Sequence, residues 1–157
     1  MKTRINTPEG QPFIDIERDV DAPRELVHRA FLEPELVVQW LGPRKYRMTI
    51  DKWDGRAGGE YRYVHGNDEG EFAFHGVFHS MDIDNMVQTF EFEGAPGHVS
   101  LDRLTLEERD GRTIARTHSV FQTVEARDAM VENGMAEGMN DGFDRLDELL
   151  ARLATPV

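Results

Sequence analysis

Three histidines have the residue type and spacing that a metal site could use. His75 and His79 stand at even spacing in one strand-like segment, so they face the same way, and His118 in a later segment could approach them. A metal would still need ligands supplied by tertiary contact, and no HExxH or similar spacing occurs. We therefore predict no metal and place His75 and His79 on the solvent side. The interior positions of that strand are then Phe72, Phe74, Gly76 and Phe78.

Nucleophilic and nucleotide-dependent chemistry have little support in the sequence. The serines are Ser80, Ser100 and Ser119, and none stands in a GxSxG turn. Ser119 directly follows His118, and neighbours on a strand point to opposite faces, so this pair cannot act together. No GxGxxG or P-loop pattern occurs. We predict no catalytic residue and no cofactor.

Arginines interrupt three otherwise strand-like stretches, at Arg18, Arg103 and Arg116. An arginine that points inward could hold a ligand carboxylate through two parallel hydrogen bonds. The alternative is that these side chains face solvent or serve the structure. The sequence does not fix their orientation.

Aromatic side chains are the most informative set. They fall at alternating strand positions or helix ends, and they are Trp40, Trp53, Tyr61, Tyr63, Phe74, Phe78, Phe90 and Phe92. Aromatic walls with few polar groups are typical of a pocket for an apolar or ring-bearing ligand. The alternative is that the rings fill the core and leave no cavity.

The segment "NGMAEGMNDGFDRLDELLARL", residues 133–153, has the spacing of one helix but carries Gly134, Gly138 and Gly142. Three helical glycines cost on the order of 2.5–3 kcal/mol relative to alanine. Either they allow close backbone packing against a sheet, or they leave the helix bare above a cavity beside Met135 and Met139. The predicted core face of the helix consists of Met135, Met139, Gly142, Leu146, Leu149 and Leu153.

Periodicity and turn signals define the elements that must position these residues. "PFIDIERDV" alternates as a half-buried strand, and two short helical segments follow it. Residues 46–121 read as consecutive strands separated by turns, which predicts an antiparallel sheet. A long helical pattern follows Val124. We predict an α+β fold with a curved antiparallel sheet of about seven strands around a long C-terminal helix. Residues 13–154 would form one domain after a loose lead, residues 1–12.

Composition excludes several functional classes. The chain of 157 residues has no cysteine, so disulfides and thiol catalysis are excluded. Its formal net charge of −12 argues against a nucleic-acid partner, which would need a basic patch. No apolar run approaches a membrane span, and we expect a cytoplasmic protein that is a monomer or a homodimer.

Four segments in order resemble a known family. They are "IDIERDVDAPRELVHRAFLEPELVVQWLGP", "DGRAGGEYRY", "FHGVFHSMDI" and "THSVFQTVEARDAMVENGMAEGMNDGFDRLDELL". With them the chain resembles the START-like (SRPBCC) superfamily with its helix-grip fold. Within it, the chain is most similar to homologues of the activator of heat-shock protein 90 ATPase, of the C-terminal-domain type. The resemblance implies a seven-stranded sheet wrapped around the final helix, with a deep pocket between them.

Function remains open among three hypotheses, because the resemblance implies fold more than activity. The first is a protein that binds a small apolar or aromatic ligand in the pocket. The second is a chaperone-interaction module with a role in stress response. The third is a cyclase, dehydratase or hydrolase, which would need an ionisable side chain in the pocket. The predicted ligand-binding residues are Trp40, Tyr61, Tyr63, Phe74, Gly76, Phe78, Phe90, Phe92, Met135, Gly138, Met139 and Gly142.

Overall fold

One antiparallel sheet and one long helix dominate the structure, a computed structural model that describes residues 3–154. The strands are β1 Thr3–Asn6, β2 Phe13–Val20, β3 Arg47–Trp53, β4 Glu60–Asn67, β5 Gly70–Asp82, β6 Asn85–Phe92, β7 Val99–Arg109 and β8 Arg112–Val120. The helices are α1 Arg24–Leu32, α2 Pro34–Val37, α3 Val124–Glu132 and α4 Met135–Ala154. The strand order is β1-β2-β8-β7-β6-β5-β4-β3, so α1 and α2 carry the chain across to the far edge. The predicted α+β helix-grip fold is confirmed.

The sheet has eight strands in the described residues, one more than predicted. The extra strand is β1, which lies in the segment expected to be a loose lead and pairs antiparallel with β2. Ile5 packs against the core, and the Arg4 guanidinium donates hydrogen bonds to Glu17 at 2.6 Å and to Asp19 at 3.0 Å. These contacts order part of the segment that was expected to be a loose lead.

The C-terminal helical region is two helices instead of the predicted one. Gly134 has a φ of +81°, a left-handed conformation that ends α3 before α4 begins at Met135. Gly134 is therefore not part of the long helix. The buried face of α4 also differs from the prediction, because Leu153 is exposed. The buried residues of α4 are Gly142, Phe143, Leu146, Leu149 and Leu150.

The core is divided into two clusters of buried side chains. In the first, the second half of α4 packs through Phe143, Leu146 and Leu150 against α1 and the sheet around β2, β7 and β8. The second cluster belongs to α2, β3, β4 and β5 and consists of Val37, Met48, Tyr61, Tyr63 and Phe78. Within residues 3–154, α4 contributes nothing to this second cluster. Helix α4 therefore packs closely on the sheet around β2, β7 and β8, and it is separated from the sheet around β3, β4 and β5.

Candidate ligand-binding site

A cavity of about 370 Å³ lies between the two core clusters, under α3 and α4. Its wall is formed by residues of both clusters together with the first turns of α4. Most of the residues predicted to bind a ligand lie in this wall. They are Trp40, Tyr61, Tyr63, Phe74, Phe90, Met135, Gly138, Met139 and Gly142.

The other predicted binding residues, Gly76, Phe78 and Phe92, do not line the cavity but lie behind its wall. A side chain at Gly76 would overlap the Thr89 carbonyl oxygen and come within 2.7 Å of the Tyr61 ring, so only glycine lets that ring lie flat on β5. Phe78 is completely buried and stacks on Tyr61, with ring centroids 4.9 Å apart. Phe92 packs against Phe74 at 5.2 Å.

Phe72, predicted to be an interior residue, is partly exposed and also lies outside the cavity. Its exposed fraction is 38 %, and its ring meets the edge of Tyr46 with centroids 5.5 Å apart. Phe72 lies between Phe74 and the β4–β5 turn. Phe74 lines the cavity, but no residue of β5 between Phe74 and the turn does so.

Tyr61 and Tyr63 form a stacked aromatic wall on β4, with ring centroids 6.0 Å apart. The Tyr61 hydroxyl donates to the Thr89 carbonyl oxygen at 2.6 Å and accepts from the Gln88 amide at 3.3 Å. Burial raises the pKa of both hydroxyls, and the nearby carboxylate of Asp102 raises the pKa further. Both tyrosines are therefore neutral at physiological pH.

Trp40 closes the wall where α2 meets α4. Its indole nitrogen donates to the Ala30 carbonyl oxygen at 2.8 Å, which satisfies the donor of a buried ring. Phe31 meets the indole edge at 4.8 Å and Phe143 stacks on it at 6.5 Å. The orientation of Trp40 is thus fixed by α1 and α4 together.

The glycines of α4 have different surroundings. A Cβ atom at Gly142 would lie 3.3 Å from the Gly42 amide nitrogen and 3.5 Å from the Trp40 carbonyl oxygen, so the backbones pack closely there. A Cβ atom at Gly138 would meet only the Pro43 side chain, at 3.4 Å, which is an ordinary contact. The interpretation of close packing therefore applies at Gly142, while Gly138 leaves part of the roof bare.

A polar floor, which we define as Gln88, Ser100, Asp102 and Ser119, lies at one side of the cavity. The Ser100 hydroxyl donates to the Asp102 carboxylate at 3.0 Å, and Ser119, its cross-strand neighbour, hydrogen-bonds to the same group. Burial raises the pKa of Asp102 from 3.8 to about 6, although both hydroxyls oppose this shift. Asp102 is the ionisable group that acid–base chemistry in this cavity would need.

The sequence carries a signal for Asp102 that the prediction missed. Ser100, Leu104 and Leu106 are buried on one face of β7, and Asp102 has the same parity along the strand. Strict alternation therefore turns its carboxylate inward with the leucines. An aspartate is ordinarily expected at the surface. Its inward direction becomes clear only when its position is counted along the strand from the buried leucines.

His65 also borders the cavity and is a second residue that the prediction did not include. Its side chain is 6 % exposed, and its Nε2 atom has no hydrogen-bond partner among residues 3–154. Burial, together with the positive charge of Arg145, lowers the pKa of His65 to about 4. The imidazole is neutral and fills the space beside Gly42.

None of the three arginines predicted as possible ligand contacts lines the cavity. Arg18 is buried but binds Asp147 at 2.5 Å and Asp144 at 3.0 Å, which ties β2 to α4. Arg116 lies on the outer sheet face, where it donates to Glu17 and Glu107. Arg103 is exposed on the same outer face. A ligand carboxylate held by these residues is therefore not supported.

The histidines expected on the solvent side lie on the outer face of the sheet. His79 is exposed, and His75 contacts Glu93 at 2.9 Å. His118 contacts Asp15 at 2.5 Å, on the far side of the sheet from Ser119. Within residues 3–154, no group of three or more His, Asp or Glu side chains could hold a metal ion.

Solved structures of several other proteins share this fold. A Rhodobacter sphaeroides crystal structure is 25 % identical, with 96 % of this chain and 99 % of that chain covered and a TM-score of 0.87. An Arthrobacter aurescens solution structure is 24 % identical over 97 % and 93 % of the two chains, with a TM-score of 0.86. A Mycobacterium smegmatis protein is 22 % identical over 98 % of both chains, also at 0.86.

Three further findings bear on the class of protein. No helix in the described part of the chain is long and apolar enough to cross a membrane. The comparison with curated proteins gives no match. The family model described as Activator of Hsp90 ATPase homolog 1-like protein matches residues 21–151. Because this match spans most of the sequence and agrees with the motifs identified above, the chain belongs to the family of Activator of Hsp90 ATPase homolog 1-like proteins.

Proposed function

We propose that this protein binds a small, largely apolar, ring-bearing molecule in the cavity between the sheet and α4. The observation that carries the proposal is the 370 Å³ cavity between two separate core clusters. That volume lies in the range of small-molecule pockets, roughly 300–1,000 Å³. The long helix α4 packs on the first cluster and contributes no residue to the second, which leaves space between α4 and that part of the sheet.

The chemistry of the lining supports an aromatic or alicyclic ligand. Tyr61, Tyr63, Phe74 and Phe90 present a continuous series of stacked rings, with neighbouring centroids 5.3 Å apart at Tyr63–Phe74 and at Phe74–Phe90. A flat ligand would gain dispersion contacts along this wall that an empty cavity forfeits. Met130, Met135 and Met139 supply a roof of flexible side chains that adapt to an irregular apolar shape.

Native mass spectrometry of protein purified gently from its own host tests the proposal. We expect a stoichiometric small-molecule mass that denaturing extraction releases. Gly138→Leu, purified in parallel, should arrive without that mass, whereas Gly138→Ala should keep it. Bare wild-type protein from several growth conditions, together with no uptake of added aromatic compounds, would contradict ligand binding.

A second candidate function is the chaperone interaction that the family description names. The supporting observation is a row of exposed apolar side chains across the outer sheet face. Val77, Leu101 and Val120 are 42 %, 51 % and 37 % exposed. Leu101 is the cross-strand neighbour of Val120, and Thr89 lies between Leu101 and Val77. Exposed apolar rows of this kind are typical of protein contacts.

The ATPase rate of the host's Hsp90-type chaperone tests this second candidate. We expect the rate to rise with added protein and Leu101→Glu to abolish the rise. Leu153→Glu is the matched control, because Leu153 is similarly exposed, at 41 %, but lies on α4 away from the row. A rate that wild-type protein leaves unchanged would count against the interaction.

A further inference from the structure

Asp102 is a half-buried carboxylate that lines the cavity, and no positively charged side chain within residues 3–154 is paired with it. Its hydrogen-bond partners are the hydroxyls of Ser100 and Ser119, which bear no charge. Within residues 3–154, no arginine or lysine lines the cavity, and Asp102 makes no ion pair. A buried charge is normally paired, because hydroxyls alone replace only part of its hydration.

In the part of the chain that the structure describes, no cationic side chain is in place to pair with Asp102. Arg18 is occupied by Asp144 and Asp147, and Arg103 and Arg116 lie on the opposite face of the sheet. His65 shares the cavity but is neutral, because its pKa is lowered to about 4. The cavity therefore carries a negative charge at neutral pH. An anionic ligand would meet repulsion there and find no arginine to bind it.

The walls near Asp102 are suited to a cation. Tyr61 and Tyr63 line the same cavity as Asp102, and the Tyr61 hydroxyl accepts a hydrogen bond from Gln88 of the polar floor. The faces of aromatic rings attract a positive charge, most strongly where water is excluded. The net charge of −12 would also raise the local concentration of cations around the protein.

Resting on the proposed ligand-binding function, we propose that the ligand carries a basic nitrogen whose positive charge pairs with Asp102 in the polar floor. The rest of the molecule lies along the aromatic wall under Met135 and Met139. The Asp102–nitrogen pair completes the hydrogen bonding of the carboxylate that Ser100 and Ser119 begin. The ligand class is thus an aromatic or alicyclic amine.

Two probes of nearly equal shape test the charge. Isothermal titration calorimetry near neutral pH compares 2-naphthylmethylamine, which is protonated, with 2-naphthylmethanol, which is neutral. We expect the amine to bind the wild-type protein at least about tenfold more tightly, as a charge-assisted hydrogen bond would give. Asp102→Asn should remove this preference, so that the amine and the alcohol bind the variant with similar affinity.

Asp68→Asn is the matched control, because Asp68 is exposed in the β4–β5 turn and its loss changes the net charge equally. It should leave the preference for the amine intact. Equal affinity of the wild-type protein for the two probes would overturn the proposed pairing of a cationic ligand with Asp102. The proposed ligand binding itself would still hold. Failure of both probes to bind would overturn the proposed function and this proposal with it.

The pH dependence of wild-type binding gives a second test that needs no variant. Between about pH 7.5 and about pH 5, protonation of Asp102 should reduce the ratio of amine to alcohol affinity several-fold. The other titratable groups lining the cavity are Tyr61, Tyr63 and His65, all on β4; β6, β8, α3 and α4 contribute none within the described residues. The tyrosines stay neutral throughout this interval, and His65, whose pKa is lowered to about 4, stays predominantly neutral down to about pH 5. A ratio independent of pH would contradict pairing with Asp102.

Discussion

Gly142 of α4 packs against the backbone of Gly42, and a Cβ atom at position 142 would lie 3.3 Å from the Gly42 amide nitrogen. Gly42 has little room to move away. The His65 ring occupies the space where a side chain at position 42 would stand, and Arg145 donates to the Gly42 carbonyl oxygen at 3.1 Å. The glycine pair is therefore a close backbone contact between α4 and the loop that follows α2, and both glycines line the cavity.

We predict opposite effects of the same substitution at two helical glycines. Gly142→Ala should lower the free energy of unfolding by about 1 kcal/mol, because crowding against Gly42 exceeds the gain in helix propensity. Gly138→Ala should raise it by up to about 1 kcal/mol, because its Cβ atom would make only an ordinary contact with Pro43. Urea unfolding of both variants checks the signs. Equal effects would show that the two sites pack alike.

The sequence predicted which face of most strands points inward, but it did not predict every residue that reaches the cavity. Alternation correctly placed His75 and His79 outside and Phe74 inside, because side-chain direction along a strand is local information. The bulge between Phe78 and Ser80 shifts that alternation, and as a result Met81 reaches the cavity. Such an irregularity depends on the neighbouring strand and is not visible in one strand's sequence.

The other differences also come from tertiary contacts. β1 is ordered by pairing with β2, and no local pattern in its short sequence requires this. Gly134 fits a helical spacing, but its left-handed backbone ends α3 instead. The buried charge of Arg18 is explained only by Asp144 and Asp147, which lie far away in the sequence. The binding roles given to the cavity residues remain predictions.

The ion pairs of Arg18 predict an unequal response to two similar substitutions. Asp147→Asn should lower the free energy of unfolding by about 1–2 kcal/mol, because it weakens the shorter contact, 2.5 Å, to a buried guanidinium. Asp144→Asn should cost less than about 1 kcal/mol, because Asp144 is 58 % exposed and its contact is 3.0 Å. Thermal unfolding of both variants checks the order. A larger loss for Asp144→Asn would show that Arg18 depends on the exposed partner.

We predict that Gly138→Leu prevents ligand uptake but leaves the fold intact. Gly138 lines the cavity, and a Cβ atom there meets only the Pro43 side chain, so the larger leucine would extend into the remaining open space. We expect binding of 2-naphthylmethanol to weaken at least about tenfold, which corresponds to the loss of about 1.4 kcal/mol of contacts. Calorimetry measures the affinity, and circular dichroism confirms the fold. Unchanged affinity would place the bound molecule elsewhere.

The stability of the protein should depend on the charge of Asp102. Its pKa is raised from 3.8 to about 6 in the folded state, so the folded state holds this proton more tightly than the unfolded chain does. The stabilising contribution of the protonated carboxyl is therefore complete below about pH 4 and is lost as the pH rises through about 6. At neutral pH the ionised group lowers the free energy of unfolding by up to about 3 kcal/mol, at about 1.4 kcal/mol per pKa unit.

Asp102→Asn removes this dependence because its amide does not ionise. The variant should be more stable than the wild-type protein at neutral pH, and the difference should shrink as the pH falls from about 6 to about 4. Urea unfolding across this range measures the difference, which isolates Asp102 from the other carboxylates. The exposed control Asp68→Asn should differ from wild type by a small and constant amount. A pH-independent difference for Asp102→Asn would mean that the cavity hydrates this carboxylate well enough to leave its pKa at the ordinary value, and the need for a cationic ligand would disappear with it.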